Sequence, residues 1–224
     1  MIIPHFDKYP LITQKRADYL LFKQGIDLLL NGQARHSIEG MEKILSLKGS
    51  MNLGLSPTLK INFPTVVPLF RPEVSGLSIQ NPNWLTGFVD GEGYFYVKSL
   101  KNNKYSTGFS VNLVFSISQH VRDEALLTTF LDYLGCGRIE RASTRPDGAN
   151  FVVSKFSDIK EKIIPFFQTY PLQGIKCVDN FDFVKVANII EAKGHLTLEG
   201  IKKINSLKSG MNSSRVINYE KTLD

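Results

Sequence analysis

Apolar positions change period several times along the chain. Asn81-Pro82-Asn83 supplies capping oxygens and a first-turn proline, so a short helix is predicted from Trp84 to Gly91 or Gly93. Residues 94–100 and 109–119 then alternate as strands do, joined by the polar stretch from Lys101 to Gly108. On the second strand Val111, Leu113, Phe115 and Ile117 share one face, while Ser110, Asn112, Val114, Ser116 and Ser118 share the other. One face makes core and the other meets something polar. Leu126, Leu127, Phe130, Leu131 and Leu134 recur at helical spacing before Gly135, a C-terminal stop. Two shorter strands, Gly137 to Ala142 and Asn150 to Lys155, flank the turn signal Pro146-Asp147-Gly148. Ser157-Asp158 is read as the cap of a helix carrying Ile159, Ile163, Ile164 and Phe167, which Pro165 should kink or end. Helices at 176–193 and 197–208 complete an α+β unit whose antiparallel sheet is covered by helices on one face.

Part of this pattern occurs twice. Ile2 to Leu11 returns as Ile163 to Leu172 with seven of ten positions identical, and Lys15, Asp18 and Phe22 match Lys176, Asp179 and Phe183. After a one-residue slip, Glu39 to Lys48 matches Glu199 to Lys208, and Met51-Asn52 matches Met211-Asn212. Amphipathic periodicity alone would preserve polarity, not Pro, Tyr-Pro, Gly and Met-Asn in register. Residues 53–83 contain Pro57, Pro64, Pro68, Pro72 and Pro82 and read as an extended, semi-rigid linker. The expected organisation is the last part of a first repeat at 1–52, a linker at 53–83, a complete unit at 84–212 and a tail at 213–224.

The 224 residues are 42% hydrophobic, which excludes a disordered tail or a small disulfide scaffold. A net charge of +6 tilts the partner toward polyanions. Cys136 and Cys177 form no paired motif with the histidines. No apolar run is long enough to span a bilayer, so no membrane partner is expected, and the start resembles neither a signal nor a transit peptide.

The chemistry concentrates in Trp84-Leu85-Thr86-Gly87-Phe88-Val89-Asp90-Gly91-Glu92-Gly93. Gly87 and Gly91 are four apart and can let another helix backbone approach. Asp90 and Glu92 sit at a helix C-terminus, against the local preference for positive charge. A divalent cation held by hard oxygens would account for them, and so would a Gly-rich turn with solvated acids.

This stretch resembles the LAGLIDADG motif, and the αββαββα order that follows is similar to the core of LAGLIDADG homing endonucleases. The resemblance covers essentially the whole chain, its start being similar to the end of a preceding repeat in the two-repeat, single-chain branch. It implies that Leu85, Gly87, Phe88, Asp90 and Gly91 belong to a helix-packing motif. It further implies that Glu92 and the Gly91 carbonyl hold a divalent cation, Mg2+, beside a scissile phosphate, while Asp90 supports the helix end. Gln119 resembles the family's polar active-site residue at the end of its strand. Lys176, with its repeat partner Lys15, lies near the family's charge-stabilising lysine.

The family's sheet forms a saddle along the major groove. That implies DNA contacts from Tyr94, Tyr96, Lys98, Ser110, Asn112, Ser116 and Ser118, from Arg138, Glu140 and Ser154, and from the loop residues Lys101, Asn102, Asn103 and Lys104. Gly93 to Arg122 holds four basic residues and no acid, which suits phosphates. Any amphipathic surface strand would show the same alternation.

The family's working site needs two motif helices, whereas this sequence supplies one. The expectation is therefore a site-specific, metal-dependent double-strand DNA endonuclease of the intron-homing type in a truncated or partial form, depending on a second chain for the other motif helix. The alternative is a non-cleaving nucleic-acid-binding remnant or an intron RNA-splicing maturase. The resemblance also implies organellar encoding, in mitochondria.

Overall fold

In the computed structural model of the chain, residues 2–32, 37–74, 78–141 and 145–212 are described, and they fall into two compact units, Met1–Ser78 and Ile79–Asp224. The tail 213–224 and residues 142–144 of the predicted turn lie outside the described residues.

The first unit is helical: α1 (Ile2–Lys8), α2 (Lys15–Leu30), α3 (Ile38–Gly49) and α4 (Pro57–Asn62). Helix α4 corrects the reading of 53–83 as uniformly extended. Ser56 accepts from the Leu59 N–H and Pro57 presets the first turn, so a capping serine followed by proline starts a helix there. Beyond it the chain lies along α3, with Leu69 N–H donating to Ser46 O at 3.1 Å and Ser50 Oγ donating to Leu69 O. Arg71 fastens this segment, donating to Asp18 Oδ1 at 2.6 Å, Ser50 O at 2.8 Å and Gln14 O at 3.0 Å.

The second unit runs α5 (Pro82–Glu92), β1 (Gly93–Lys101), β2 (Phe109–His120), a 3₁₀ turn, α6 (Glu124–Leu134), β3 (Arg138–Arg141) and β4 (Gly148–Val153). Then come α7 (Phe156–Asp158), a π turn (Ile159–Ile163), α8 (Ile164–Thr169), α9 (Lys176–Glu191) and α10 (Leu198–Ser209). The sheet is antiparallel throughout, in the order β1-β2-β4-β3. Its helix-covered face carries Phe95, Phe115 and Phe151, all fully buried. Phe167 and Phe183 meet Phe95 edge-on at 5.4 Å, and Phe130 meets Phe151 at 5.8 Å. Each such ring contributes about 1.5–3 kcal/mol by burial, so this cluster holds α6, α8 and α9 to the sheet.

One local prediction is corrected and one narrowed. No side chain caps the run at Ser157-Asp158; it begins at Phe156, with Ile159 N–H reaching Lys155 O at 3.1 Å. Of the two outcomes expected at Pro165, a kink or an end, the end does not occur, since the helix runs on to Thr169. It is the second residue of α8, inside the continuous helical run 156–169 and directly after the π turn Ile159–Ile163, the wider pattern found where a helix interior departs from its regular hydrogen bonds.

The sequence repeat is a structural repeat. Helices α2 and α9 are each 16 residues and α3 and α10 each 12. Ser37 and Thr197 cap α3 and α10 through the Gly40 and Gly200 N–H groups, each at 3.0 Å. Asn52 and Asn212 both take positive φ, 48° and 55°, and their N–H groups meet Asp18 and Asp179, again at 3.0 Å each. The units differ where the sheet would be. Phe183 and Ile163 are fully buried, whereas their counterparts Phe22 and Ile2 are 41% and 61% exposed. Among the described residues the first unit has no strand to cover them. None of the described helices is long and apolar enough to cross a membrane.

Candidate active site and polar sheet face

Helix α5 starts where Asn81 Oδ1 accepts from Asn83 N–H at 2.9 Å. Leu85 and Val89 are fully buried, and Thr86 Oγ1 donates to Tyr170 O at 3.2 Å. Trp84 stacks on Phe88 at 4.9 Å, and Phe88 packs against Phe130. The opposite face is open: among the described residues, a Cβ at Gly87 or Gly91 would meet nothing within 4 Å. Gly93 ends the helix by close approach, since a Cβ there would lie 2.4 Å from Val89 Cγ1.

The loop before α9 grips the helix end. Asp90 accepts from the N–H groups of Gln173 at 2.8 Å and Gly174 at 3.1 Å. Two amides near the start of a helix suit a carboxylate, so Asp90 has a structural reason to be acidic. Lys176 Nζ donates to Gly91 O at 2.7 Å and Val89 O at 3.3 Å. These are terminal carbonyls of α5, where a cation is favoured. Burial lowers the Lys176 pKa, opposed by the charges of Glu92, Asp90 and Asp179. Glu92 itself is exposed. No group of three His, Cys, Asp or Glu among the described residues is placed to hold a metal. The hard oxygens at this helix end are the exposed Glu92 carboxylate and the Gly91 carbonyl, the latter keeping one lone pair beyond its bond from Lys176; one carboxylate and one carbonyl fit a divalent cation that keeps several waters.

Gln119 pairs with Ala149 on β4, two residues past Ile117, the partner of Gly93. It is half-buried on the Phe115 and Ile117 side of β2, apart from the polar row, and among the described residues no hydrogen bond joins it to α5.

On the outer face the strand register sets rows. Tyr94, Ser116, Val152 and Arg138 form one, and Ser118, Asn150 and Glu140 the next. Tyr96 lies across from Val114, Lys98 from Asn112, and Ser110 from Leu100. Ser116 departs from the expected exposure. At 9% it is buried, because the central strand places it between Tyr94 and Val152. Lys98, Lys101, Asn103 and Lys104 are exposed. Asn102 is half-buried and shapes the loop, its Oδ1 accepting from Lys104 N–H at 3.1 Å and its backbone N–H donating to Gly108 O at 2.8 Å. Arg138 donates to Ser154 Oγ at 2.9 Å and pairs with Glu140 at 2.5 Å. Burial raises the Tyr96 pKa, with the Glu140 charge adding to it. Asn150 belongs to this face, and the sequence reading missed it. Its amide lies 2.5 Å from Ser118 Oγ, and its alternation with Val152 was the available signal.

Comparison with known proteins matches the LAGLIDADG endonuclease family in two segments, residues 1–26 and 85–187. Two Neurospora crassa proteins named probable intron-encoded endonucleases 3 and 2 are 38% and 37% identical over 92% and 94% of this chain. The chain spans only 38% and 47% of their lengths. The crystal structure of the I-SmaMI LAGLIDADG homing endonuclease bound to cleaved DNA superposes with a TM-score of 0.93 at 46% identity, over 96% of this chain and 71% of that one. With the αββαββα unit, the motif helix ending in Glu92 and the family match over both segments, the chain belongs to the LAGLIDADG endonuclease family.

Proposed function

We propose that the chain is part of a site-specific, metal-dependent endonuclease that cuts double-stranded DNA, of the intron-homing type. The observation that carries this is the end of α5, where an exposed carboxylate, a helix-terminal carbonyl and an ammonium converge: Glu92, Gly91 O and Lys176, the last two 2.7 Å apart. Glu92 and the Gly91 carbonyl are the residues that would hold Mg2+. A bound divalent ion supplies a polarised phosphate and an activated water. Lys176 adds fixed positive charge where negative charge grows on the phosphate. Gln119, at the end of β2, would orient water. The outer face of the sheet would lie in the major groove, with Lys98, Lys101 and Lys104 toward phosphates.

A complete site needs a second motif helix, and the first unit repeats in sequence the segment that holds the end of α5 in the second. Lys15 repeats Lys176, and the amides of Ile12 and Thr13 repeat those of Gln173 and Gly174. In the second unit, the open Gly87 and Gly91 face of α5 leaves room for the backbone of a second helix. A second motif helix, from another segment or another chain, would complete the site. The two intron-encoded relatives support an intron-borne gene, which we place in a mitochondrial genome. A second reading, a nucleic-acid-binding protein that does not cut, such as a maturase on intron RNA, rests on the single motif helix among the described residues.

The test is cleavage of a double-stranded DNA library by the chain, alone and joined to a counterpart of residues 84–161. Magnesium-dependent cutting at one sequence supports the endonuclease. Binding of intron RNA with no cutting in either form supports the second reading.

A further inference from the structure

Among the described outer-face residues of the four strands, Glu140 is the acid, set on a face whose other polar residues are hydroxyls, amides and cations beside the apolar Leu100, Val114 and Val152. Such a face attracts phosphates, and a carboxylate there opposes that attraction. A duplex offers a carboxylate only one kind of donor in the major groove, the amino groups of cytosine N4 and adenine N6. A sheet side chain of this charge is therefore placed for base edges and not for the backbone.

Its neighbour is complementary. Arg138 Nη2 lies 2.5 Å from Glu140 Oε1, while its Nη1 donates to Ser154 Oγ at 2.9 Å, so the guanidinium plane is held at two points. Both side chains stay about half exposed, at 55% and 46%, so the pair is reachable from outside and contributes little to stability. In the row of Glu140, Asn150 is tied to Ser118 at 2.5 Å, which leaves the carboxylate and the guanidinium as the charged hydrogen-bonding groups at that edge. A guanidinium reads guanine O6 and N7, and a carboxylate accepts from cytosine N4. These are the two halves of one base pair.

We propose that Arg138 and Glu140 act together as a specificity pair on β3, selecting a G·C pair at one target position or the two halves of neighbouring G·C pairs. The proposal rests on the reading of the outer sheet face as the DNA interface. In the absence of DNA each residue neutralises the other, so neither charge is left unpaired until base edges replace the partner.

The experiment is selection of a randomised double-stranded DNA library by the full chain, with sequencing of the bound fraction, for wild type, Glu140→Gln, Arg138→Gln and Lys98→Gln. Wild type should enrich G·C at a discrete position. Glu140→Gln should reduce the cytosine preference there about tenfold, and Arg138→Gln the guanine preference by a similar factor, with other positions unchanged. Lys98→Gln should weaken binding evenly across sequences. If wild type selects a sequence and neither β3 variant alters it, or both only weaken binding evenly, the specificity pair is wrong while the interface stands. If wild type retains no DNA over random background, the interface reading fails and the pair falls with it.

Discussion

The ammonium of Lys176 donates to the carbonyl of Gly91 at 2.7 Å, tying the first turn of α9 to the last turn of α5 across 85 residues of sequence. Asp90 closes the same junction from the other side through the Gln173 and Gly174 amides. The helix end that bears Glu92 is therefore set by a loop far away in the chain.

Removing the Asp90 carboxylate should free that loop. Asp90→Ala leaves two amides without their charged acceptor, and the expected loss is about 1–3 kcal/mol. Urea denaturation measures it, and faster hydrogen exchange at Gln173 and Gly174 locates it. Unchanged exchange there would contradict the junction.

Gly87 should separate stability from function. Gly87→Ala adds a methyl into open space and removes a helix-interior glycine, so the unit should gain about 0.5–1 kcal/mol. The same methyl stands where a second helix backbone would approach, so cleavage by the complete protein should fall. A thermal melt and a cleavage assay on one preparation report both effects.

Gly93→Ala should do the reverse. Its Cβ would lie 2.4 Å from Val89 Cγ1 and 2.7 Å from Val89 O, and the carbonyl cannot move without breaking the end of α5. About 1–3 kcal/mol of destabilisation is expected, measured as a lower urea midpoint.

The Arg71 bond to Asp18 gives the first unit a pH signature. Hydrogen bonding from Arg71 is the largest cause lowering the Asp18 pKa, with the Asn52 amide helping and burial opposing. A folded-state pKa below the unfolded value near 3.9 means that the stabilisation is complete above the unfolded pKa and is lost as pH falls through the folded one. Arg71→Met should destabilise the unit at pH 7, and the gap to wild type should narrow in acid below pH 4, leaving the part owed to the bonds from Arg71 to the Ser50 and Gln14 carbonyls. A gap independent of pH would show that the Asp18 bond contributes nothing and that Arg71 acts through its carbonyl bonds and packing.

Much of this was legible in the sequence where one residue type answers one local need. Asn81-Pro82 starts α5, alternation marks β1 and β2, and the repeat pairs Asn52 with Asn212 because each takes positive φ over a matching aspartate. What depended on distant partners was not legible. Ser116 looks exposed by alternation and is covered because its neighbours in the row are Tyr94 and Val152. Asp90 finds its donors 83 and 84 residues away. Asn150 follows a turn signal, which hid its place on the sheet face.

The central claim is that Glu92 serves the reaction at one scissile phosphate, and strand-resolved cleavage tests it most directly. The chain joined to a second motif-bearing counterpart should cut both strands of its target with magnesium, and Glu92→Gln in the same protein should cut one strand and leave the other intact. Equal cutting of both strands by Glu92→Gln would contradict the assignment.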